Sequence, residues 1–198
     1  AFVIWDENKN EVFIARDRFG IKPFYYTIQN NVFYFASEVK TLLPFIDELN
    51  INTTALKDYL YFQLYLGNYT LIDNVMELSP AHTLQIKEGN LNVEKYWEVY
   101  YNLDFSKSPK YFEERLHELV YESIQLHTRS DVPIGAYLSG GTDSSIIASV
   151  ASKTSQNTEA FLGFTGKFTY SDLYDESEYA RKLAQKASIN LHEIDITS

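Results

Sequence analysis

The stretch Leu138-Ser139-Gly140-Gly141-Thr142-Asp143-Ser144-Ser145 concentrates more chemical capability than any other part of the chain. Two adjacent glycines carry no Cβ and let the backbone come close to a bound group. A helix opening directly after them presents unpaired N–H groups and a partial positive charge, a combination that suits a phosphate. Ser139, Ser144 and Ser145 add hydroxyl donors, and Asp143 supplies a carboxylate that can hold Mg²⁺ while the ion bridges phosphate oxygens. The loop contains no lysine, so it is not the GxxxxGK[ST] type of phosphate loop. A plainer reading makes it a tight strand-to-helix turn with Asp143-Ser144 capping the helix. An Asp within Ser-Gly-Gly-x-Asp-Ser, at the carboxyl end of a parallel strand where ligands bind in such sheets, favours the phosphate site.

The elements around the loop must therefore be a strand before it and a helix after it. Pro133 to Leu138 reads as the strand, and a helix runs through Ile146 and Val150. A second strand from Glu159 to Phe164, a helix over about Ser177 to Lys186 and a third strand from Asn190 to Ile196 follow. Strands alternating with helices of this length imply a right-handed parallel βαβαβ sheet, although doubly wound sheets usually carry five strands or more. Upstream, Ser108 and Pro109 suit the cap and first position of a helix whose Phe112, Leu116, Leu119 or Val120, and Ile124 share one face. Before that helix the polar run Asn102, Asp104, Ser106, Lys107, Ser108 has no sustained apolar period. A boundary there divides the chain into 1–104 and 105–198.

The first part is built differently. Short aromatic and β-branched runs, Phe2 to Trp5, Glu11 to Ala15, Phe24 to Ile28 and Val32 to Phe35, are separated by turn-formers and predict an antiparallel meander. Thr53 or Thr54 can cap a helix through about Tyr65, with Leu56, Leu60 and Leu64 on one face and Gly67-Asn68 ending it. Thr83 to Ile86 and Leu91 to Trp97 then form a hairpin around Lys87-Glu88-Gly89-Asn90.

Composition narrows the function classes. The chain has 198 residues, 45% of them hydrophobic and 22% charged, which is ordinary for a folded protein. With Lys plus Arg at 17 and Asp plus Glu at 27, the net charge of −10 and the scatter of the basic residues argue against nucleic acid as the main ligand. The longest uncharged stretch, Tyr59 to Ile72, contains Gln63, Asn68 and Thr70 and is too short and polar to span a bilayer. No cysteine is present, so disulfides, thiolate metal sites and a cysteine nucleophile are excluded. The chain opens on Ala1 without a basic-then-apolar leader and reads as a piece of a longer cytoplasmic protein.

The Ser139 to Ser144 string resembles the loop of the PP-loop ATP pyrophosphatases. Arg129-Ser-Asp-Val-Pro-Ile-Gly135 leading into it, Ala36-Ser-Glu-Val-Lys40, Arg16-Asp-Arg-Phe-Gly-Ile-Lys-Pro23 and Tyr96-Trp97 extend the likeness over essentially the whole chain. Together they resemble the glutamine-hydrolysing asparagine synthetase family, class II glutamine amidotransferases joined to a PP-loop enzyme. The resemblance implies an α+β first part, the C-terminal portion of an antiparallel αββα glutaminase domain at 1–104. It implies an α/β second part, the start of a PP-loop, parallel-sheet synthetase domain at 105–198. In such enzymes ATP, with Mg²⁺, activates the side-chain carboxylate of aspartate as an adenylate, and ammonia from glutamine displaces AMP.

Carried over by position, Ser139, Gly140, Gly141, Thr142, Asp143, Ser144 and Ser145 match the pyrophosphate loop, with Asp143 as the metal ligand. Leu138 and Leu162 match strand-end positions flanking adenosine, with Gly163 allowing close approach, though all three also suit a strand core. Asp175 and Glu176 resemble an acidic position before the second helix and equally suit a helix start. Thr142 stands where the family usually has Leu, a change that keeps the backbone donors. The family's glutaminase thiol is missing, and the residues that contact glutamine lie upstream of the matching segment. The Arg16 to Pro23 motif reads as scaffold, a turn held by an Arg-Asp pair with Gly20 and Pro23 setting the backbone. Two other readings stay open: a related enzyme adenylating another carboxylate, and a catalytically silent nucleotide-binding module.

Other candidates are weaker. His82, His117, His127 and His192 are far apart and outside any ligand spacing, so structural or surface roles are expected. Asn52-Thr53-Thr54 and Asn68-Tyr69-Thr70 match glycosylation sequons without a secretory signal. The 16 Tyr, 13 Phe and 2 Trp lie along apolar runs and are expected in cores and domain interfaces. An unpaired edge on the third parallel strand is expected to promote homo-oligomer formation.

Overall fold

The structure is a computed structural model that describes residues 1–154, 161–168 and 175–196. It is mixed α and β, and the chain divides into two compact units, Ala1–Asn102 and Leu103–Ser198.

In the first unit β1 (Phe2–Asp6) and β2 (Glu11–Ala15) form an antiparallel hairpin, as do β3 (Tyr25–Gln29) and β4 (Val32–Ala36). The β3–β4 turn is Asn30-Asn31, both at positive φ, which is the turn whose twist matches paired strands. A short helix, α1 (Val39–Leu42), continues into a 3-10 turn, and α2 (Thr53–Phe62) follows. After them come β5 (Met76–Glu77), β6 (His82–Lys87) and β7 (Asn90–Lys95), the last two joined through Glu88-Gly89, again both at positive φ.

The continuous meander expected of Phe2 to Phe35 is corrected. The two hairpins belong to different antiparallel sheets, ordered β1-β2-β6-β7 and β4-β3-β5. Ile14 and Leu84 from one sheet and Tyr26 from the other close on a shared core with Phe24 and Leu78. Burying the apolar faces of both hairpins against each other wins over continuing one sheet, and local turn signals do not encode that choice.

The crossover between the sheets is the Arg16 to Pro23 segment, and Arg16 holds it. Its guanidinium is buried, donates to the carbonyls of Lys22 (3.0 Å), Gly20 (2.9 Å) and Leu78, and pairs with Glu77 Oε1 at 2.7 Å. The expected Arg-Asp pair is thus replaced by Arg16–Glu77. Asp17 instead accepts from the N–H groups of Phe19, Ile21 and Lys22. Tyr96 donates its hydroxyl to the Arg16 carbonyl at 2.7 Å, and the Trp97 ring meets Phe19 edge-on with Arg18 over its face. Two motifs far apart in sequence therefore close on one turn.

Helix α2 also departs from expectation. Asn52 caps it, its Oδ1 accepting from the N–H groups of Thr54 and Ala55, both at 3.0 Å. The helix stops at Phe62 because Gln63 takes a left-handed conformation, ahead of Gly67-Asn68. Leu60 and Leu64 are exposed, and within the unit the helix buries only Ala55.

The second unit opens with α3 (Pro109–His127), capped by Ser108 Oγ as its sequence predicts. Of the apolar face expected there, Ile124 is buried and Val120 partly so, whereas Phe112, Leu116 and Leu119 are exposed. Then come β8 (Gly135–Tyr137), α4 (Thr142–Thr154), β9 (Leu162–Phe168), α5 (Ser177–Ala187) and β10 (Asn190–Ile196). Residues 159 and 160, where the second strand was expected to begin, lie outside the described residues. The described strands pair in parallel in the order β10-β9-β8, separate from the sheets of the first unit.

The alanines of α4 (Ala148, Ala151) and α5 (Ala180, Ala184) pack with Leu138, Phe161, Ile189 and Ile124. Small residues let these helices approach the sheet closely. Gly135 instead allows close approach within the sheet, because a Cβ there would stand 2.9 Å from the carbonyl of its strand partner Leu162. No described helix is long and apolar enough to cross a membrane.

Candidate functional site

Leu138 ends the parallel strand with its side chain sealed in the core at 1% exposure, while its N–H donates to the Phe164 carbonyl at 2.8 Å. The chain then turns through Gly140 at φ +77°, a conformation that L side chains rarely adopt. A Cβ on Gly140 would also stand 2.3 Å from the Tyr179 Cβ, so the loop rests directly on the first turn of α5. Ser139 Oγ accepts from the Gly141 N–H at 3.4 Å and lies 3.1 Å from Ser144 Oγ, which donates to the Gly141 carbonyl at 3.2 Å. These contacts stiffen the loop from inside.

They leave its outward donors free. Among the described residues, the N–H groups of Gly140, Thr142, Asp143 and Ser144 have no protein acceptor; the first helical bond runs from the Ser145 N–H to the Gly141 carbonyl at 3.0 Å. Four neighbouring amides at the start of a 13-residue helix are the kind of donor set that can take an anion. Asp143 does not cap the helix: its carboxylate is exposed in the first turn without a hydrogen bond or ion pair among the described residues. It is free to share a cation with a bound anion. No group of three or more potential metal ligands occurs among the described residues, so such a cation would need oxygens from the anion itself, the usual arrangement for Mg²⁺.

A cleft of about 220 Å³ opens at the carboxyl ends of β8 and β9, lined by Tyr137, Leu138, Ser139, Phe164, Thr165, Gly166, Phe168 and Glu176. Of the expected residues it brings together Leu138, Ser139 and Glu176. Leu162 and Gly163 are not among its lining residues. Gly163 is buried, and the space of its missing Cβ is taken by Leu138 Cδ1 and Ile189 Cγ2, each 2.8 Å from where that Cβ would stand. Its glycine is explained by packing.

The two acidic candidates separate by geometry. Asp175 Oδ1 accepts from the Ser177 N–H at 3.1 Å, and the Ser177 hydroxyl and N–H hold its carboxyl below the usual carboxylate range. Asp175 is thus occupied in starting α5. Glu176 makes no side-chain cap and borders the cleft.

Sequence reasoning missed the aromatic wall. Tyr137 and Phe164 face each other across the β8–β9 register with ring centroids 6.4 Å apart, and His192 stacks on Phe164 at 5.4 Å. Strand alternation opposite the core residues Ala136 and Gly163 is the signal that could have found them. Of the other histidines, His82 Nδ1 lies 2.8 Å from the Pro80 carbonyl and His127 Nδ1 lies 2.8 Å from the Ser123 carbonyl. The first sequon asparagine, Asn52, is the α2 cap.

Comparison with known proteins agrees with this layout. Residues 1–97 match the family described as glutamine amidotransferase domain, and residues 115–198 match the family described as asparagine synthase. The chain is 37% identical over 166 residues to asparagine synthetase (glutamine-hydrolyzing) 1 of Bacillus subtilis, covering 83% of this chain and 26% of that protein. It is 34% identical over 192 residues to putative asparagine synthetase (glutamine-hydrolyzing) 2 of Methanocaldococcus jannaschii, covering 91% of this chain and 35% of that protein. It is also 31% identical over 207 residues to amidase chry2 of Gibberella zeae, covering 97% of this chain and 30% of that protein. The chain therefore spans between 26% and 35% of the length of these relatives. With an amidotransferase region followed by an asparagine synthase region along one chain, this protein belongs to the glutamine-hydrolysing asparagine synthetase family.

Proposed function

We propose that residues 105–198 are the N-terminal part of a PP-loop synthetase domain whose loop, Ser139 to Ser145, binds the pyrophosphate of ATP. In the same reading residues 1–104 are the C-terminal part of an αββα class II glutaminase domain, and the protein acts in the cytoplasm. The observation that carries the proposal is the row of unaccepted N–H groups at Gly140, Thr142, Asp143 and Ser144, beside the free Asp143 carboxylate.

Attack of the aspartate side-chain carboxylate on the α-phosphate breaks the bond to pyrophosphate and gives an aspartyl adenylate. Ammonia then displaces AMP and leaves asparagine. The loop's part is to hold the leaving pyrophosphate and stabilise its charge through preorganised N–H groups. Asp143 would hold Mg²⁺, which neutralises phosphate charge when bound. Leu138, Leu162 and Gly163 are proposed for the adenosine side, with Leu138 acting through its backbone because its side chain is sealed in the core.

The test is Asp143→Ala. It is expected to abolish Mg²⁺-dependent ATP binding by the chain with the far-ultraviolet circular dichroism unchanged. Unaltered Mg·ATP affinity would overturn the assignment. A cleft of about 220 Å³ lies below the roughly 300 Å³ at which ligand pockets usually begin, so weak nucleotide binding and no asparagine synthesis are expected of these residues alone, even with ammonia supplied.

A second reading is adenylation of another carboxylate; the chain also matches amidases chry2 and chyE at 31% identity each, relatives whose names are not those of asparagine synthetases. The two readings part on which acid strengthens Mg·ATP binding, aspartate or a different carboxylate. Self-association through the open edge of β10 is proposed on the same footing, to be read by sedimentation.

A further inference from the structure

Besides the packing of Ala180, the start of α5 is tied to the sheet by the side chain of Arg181. Arg181 reaches β10 with two arms of its guanidinium, Nε donating to Glu193 Oε1 at 2.7 Å and Nη2 to Glu193 Oε2 at 3.0 Å. The same Nη2 donates to Ser177 Oγ at 2.8 Å, and the Ser177 N–H donates to Asp175 Oδ1 at 3.1 Å. Ser177 is fully buried, so its hydroxyl needs these partners. Glu193, Arg181, Ser177 and Asp175 form a connected path from the sheet to the residues that open the helix.

That turn is also the seat of the phosphate loop. The place of a Cβ on Gly140 lies 2.3 Å from Tyr179 Cβ and 3.2 Å from the Ala180 nitrogen, both in the turn that Ser177 and Arg181 bracket. The contact is made by Tyr179 Cβ and by the helix backbone, not by the far end of a flexible side chain that could absorb a shift. An ordinary exposed ion pair would matter little here. A bidentate fork is different, because it fixes direction as well as distance, and lysine cannot reproduce it.

We infer that Arg181 is a positioning residue for the phosphate loop: through Glu193 and Ser177 it fixes the first turn of α5, on which Gly140 rests, and so aims the free loop amides. Its effect on anion affinity rests on the phosphate-site reading above, whereas its effect on the loop does not.

The experiment uses the ¹⁵N-labelled 198-residue chain and follows its amide spectrum with and without Mg²⁺-pyrophosphate. Arg181→Lys and Ser177→Ala should move the Gly140 and Gly141 resonances before any ligand is added. Lys186→Gln, which removes a charge from the last turn of the same helix, should leave them in place. In Arg181→Lys the dissociation constant for Mg²⁺-pyrophosphate should rise about tenfold, well short of the roughly 100-fold cost of misplacing a group by 1 Å. Unmoved Gly140 and Gly141 resonances in a well-dispersed Arg181→Lys spectrum would overturn the inference. Should that variant lose its dispersion, Glu193→Gln decides by the same criterion. Moved resonances with no response of the wild-type amides to Mg²⁺-pyrophosphate would sink the phosphate-site reading and leave the positioning role standing.

Discussion

Arg16 gathers three carbonyls and a carboxylate at the point where the chain passes from one sheet to the other. Replacing it with methionine strands those acceptors in a largely buried place. Arg16→Met is therefore expected to cost about 3 kcal/mol in urea unfolding, and Arg16→Lys most of that, because an ammonium cannot span the same fork. A loss near zero would mean that water replaces the guanidinium without penalty. Its neighbour Asp17 is expected to titrate far below an ordinary aspartate. The N–H groups of Lys22, Ile21 and Phe19 hold its carboxyl down to about 2, from an ordinary value of 3.8. Since the folded value is the lower one, the stabilisation is complete above pH 3.8 and is lost as pH falls through about 2. Carbon NMR of the Asp17 carboxyl should show that midpoint, and Asp17→Asn should remove this part of the acid dependence of stability. The Arg-Asp motif was legible as scaffold. Its partners were not, since Glu77 and Leu78 come from a distant segment.

At the scale of elements, strand positions were readable from β-branched and aromatic runs, and hairpin turns from Asn30-Asn31 and Glu88-Gly89, because both signals act between near neighbours. Helix α2 shows where that stops. Its threonines look like caps, yet Asn52 accepts two N–H groups at 3.0 Å and fixes the start. Asn52→Ala should lower the stability of the chain by about 1 kcal/mol and Asn52→Asp should restore most of it, as followed by chemical denaturation. Equal stability of wild type and Asn52→Ala would show that the helix is held by its packing alone. Leucines spaced every fourth residue placed Leu56, Leu60 and Leu64 on one apolar face of a helix through about Tyr65, but α2 ends at Phe62. Leu60 and Leu64 are exposed at 72% and 53%, and periodicity shows that a face is apolar but not what covers it.

Across the whole molecule the absence of cysteine sets a firm expectation: the purified chain should release no glutamate from glutamine above a buffer control, since the family's nucleophile is a thiol. Glutamate release would force a search for another nucleophile. Much was determined by sequence alone. The Ser-Gly-Gly-Thr-Asp-Ser loop, its place between strand and helix, and the change from hairpins to alternating strands and helices across the polar run Asn102 to Ser108 all depend on residues adjacent in the chain. Only the tertiary structure decided that the two N-terminal hairpins enter different sheets, that Arg16 answers Glu77, and that Glu176 borders the cleft while Asp175 starts a helix. It also seated Gly140 on Tyr179 and gave Gly163 a packing reason. The division has one physical cause. Turn chemistry, capping and alternation are short-range energies written in consecutive residues, whereas sheet membership, ion-pair choice and close backbone approach are settled by which apolar faces bury one another, and those faces come from segments far apart along the chain.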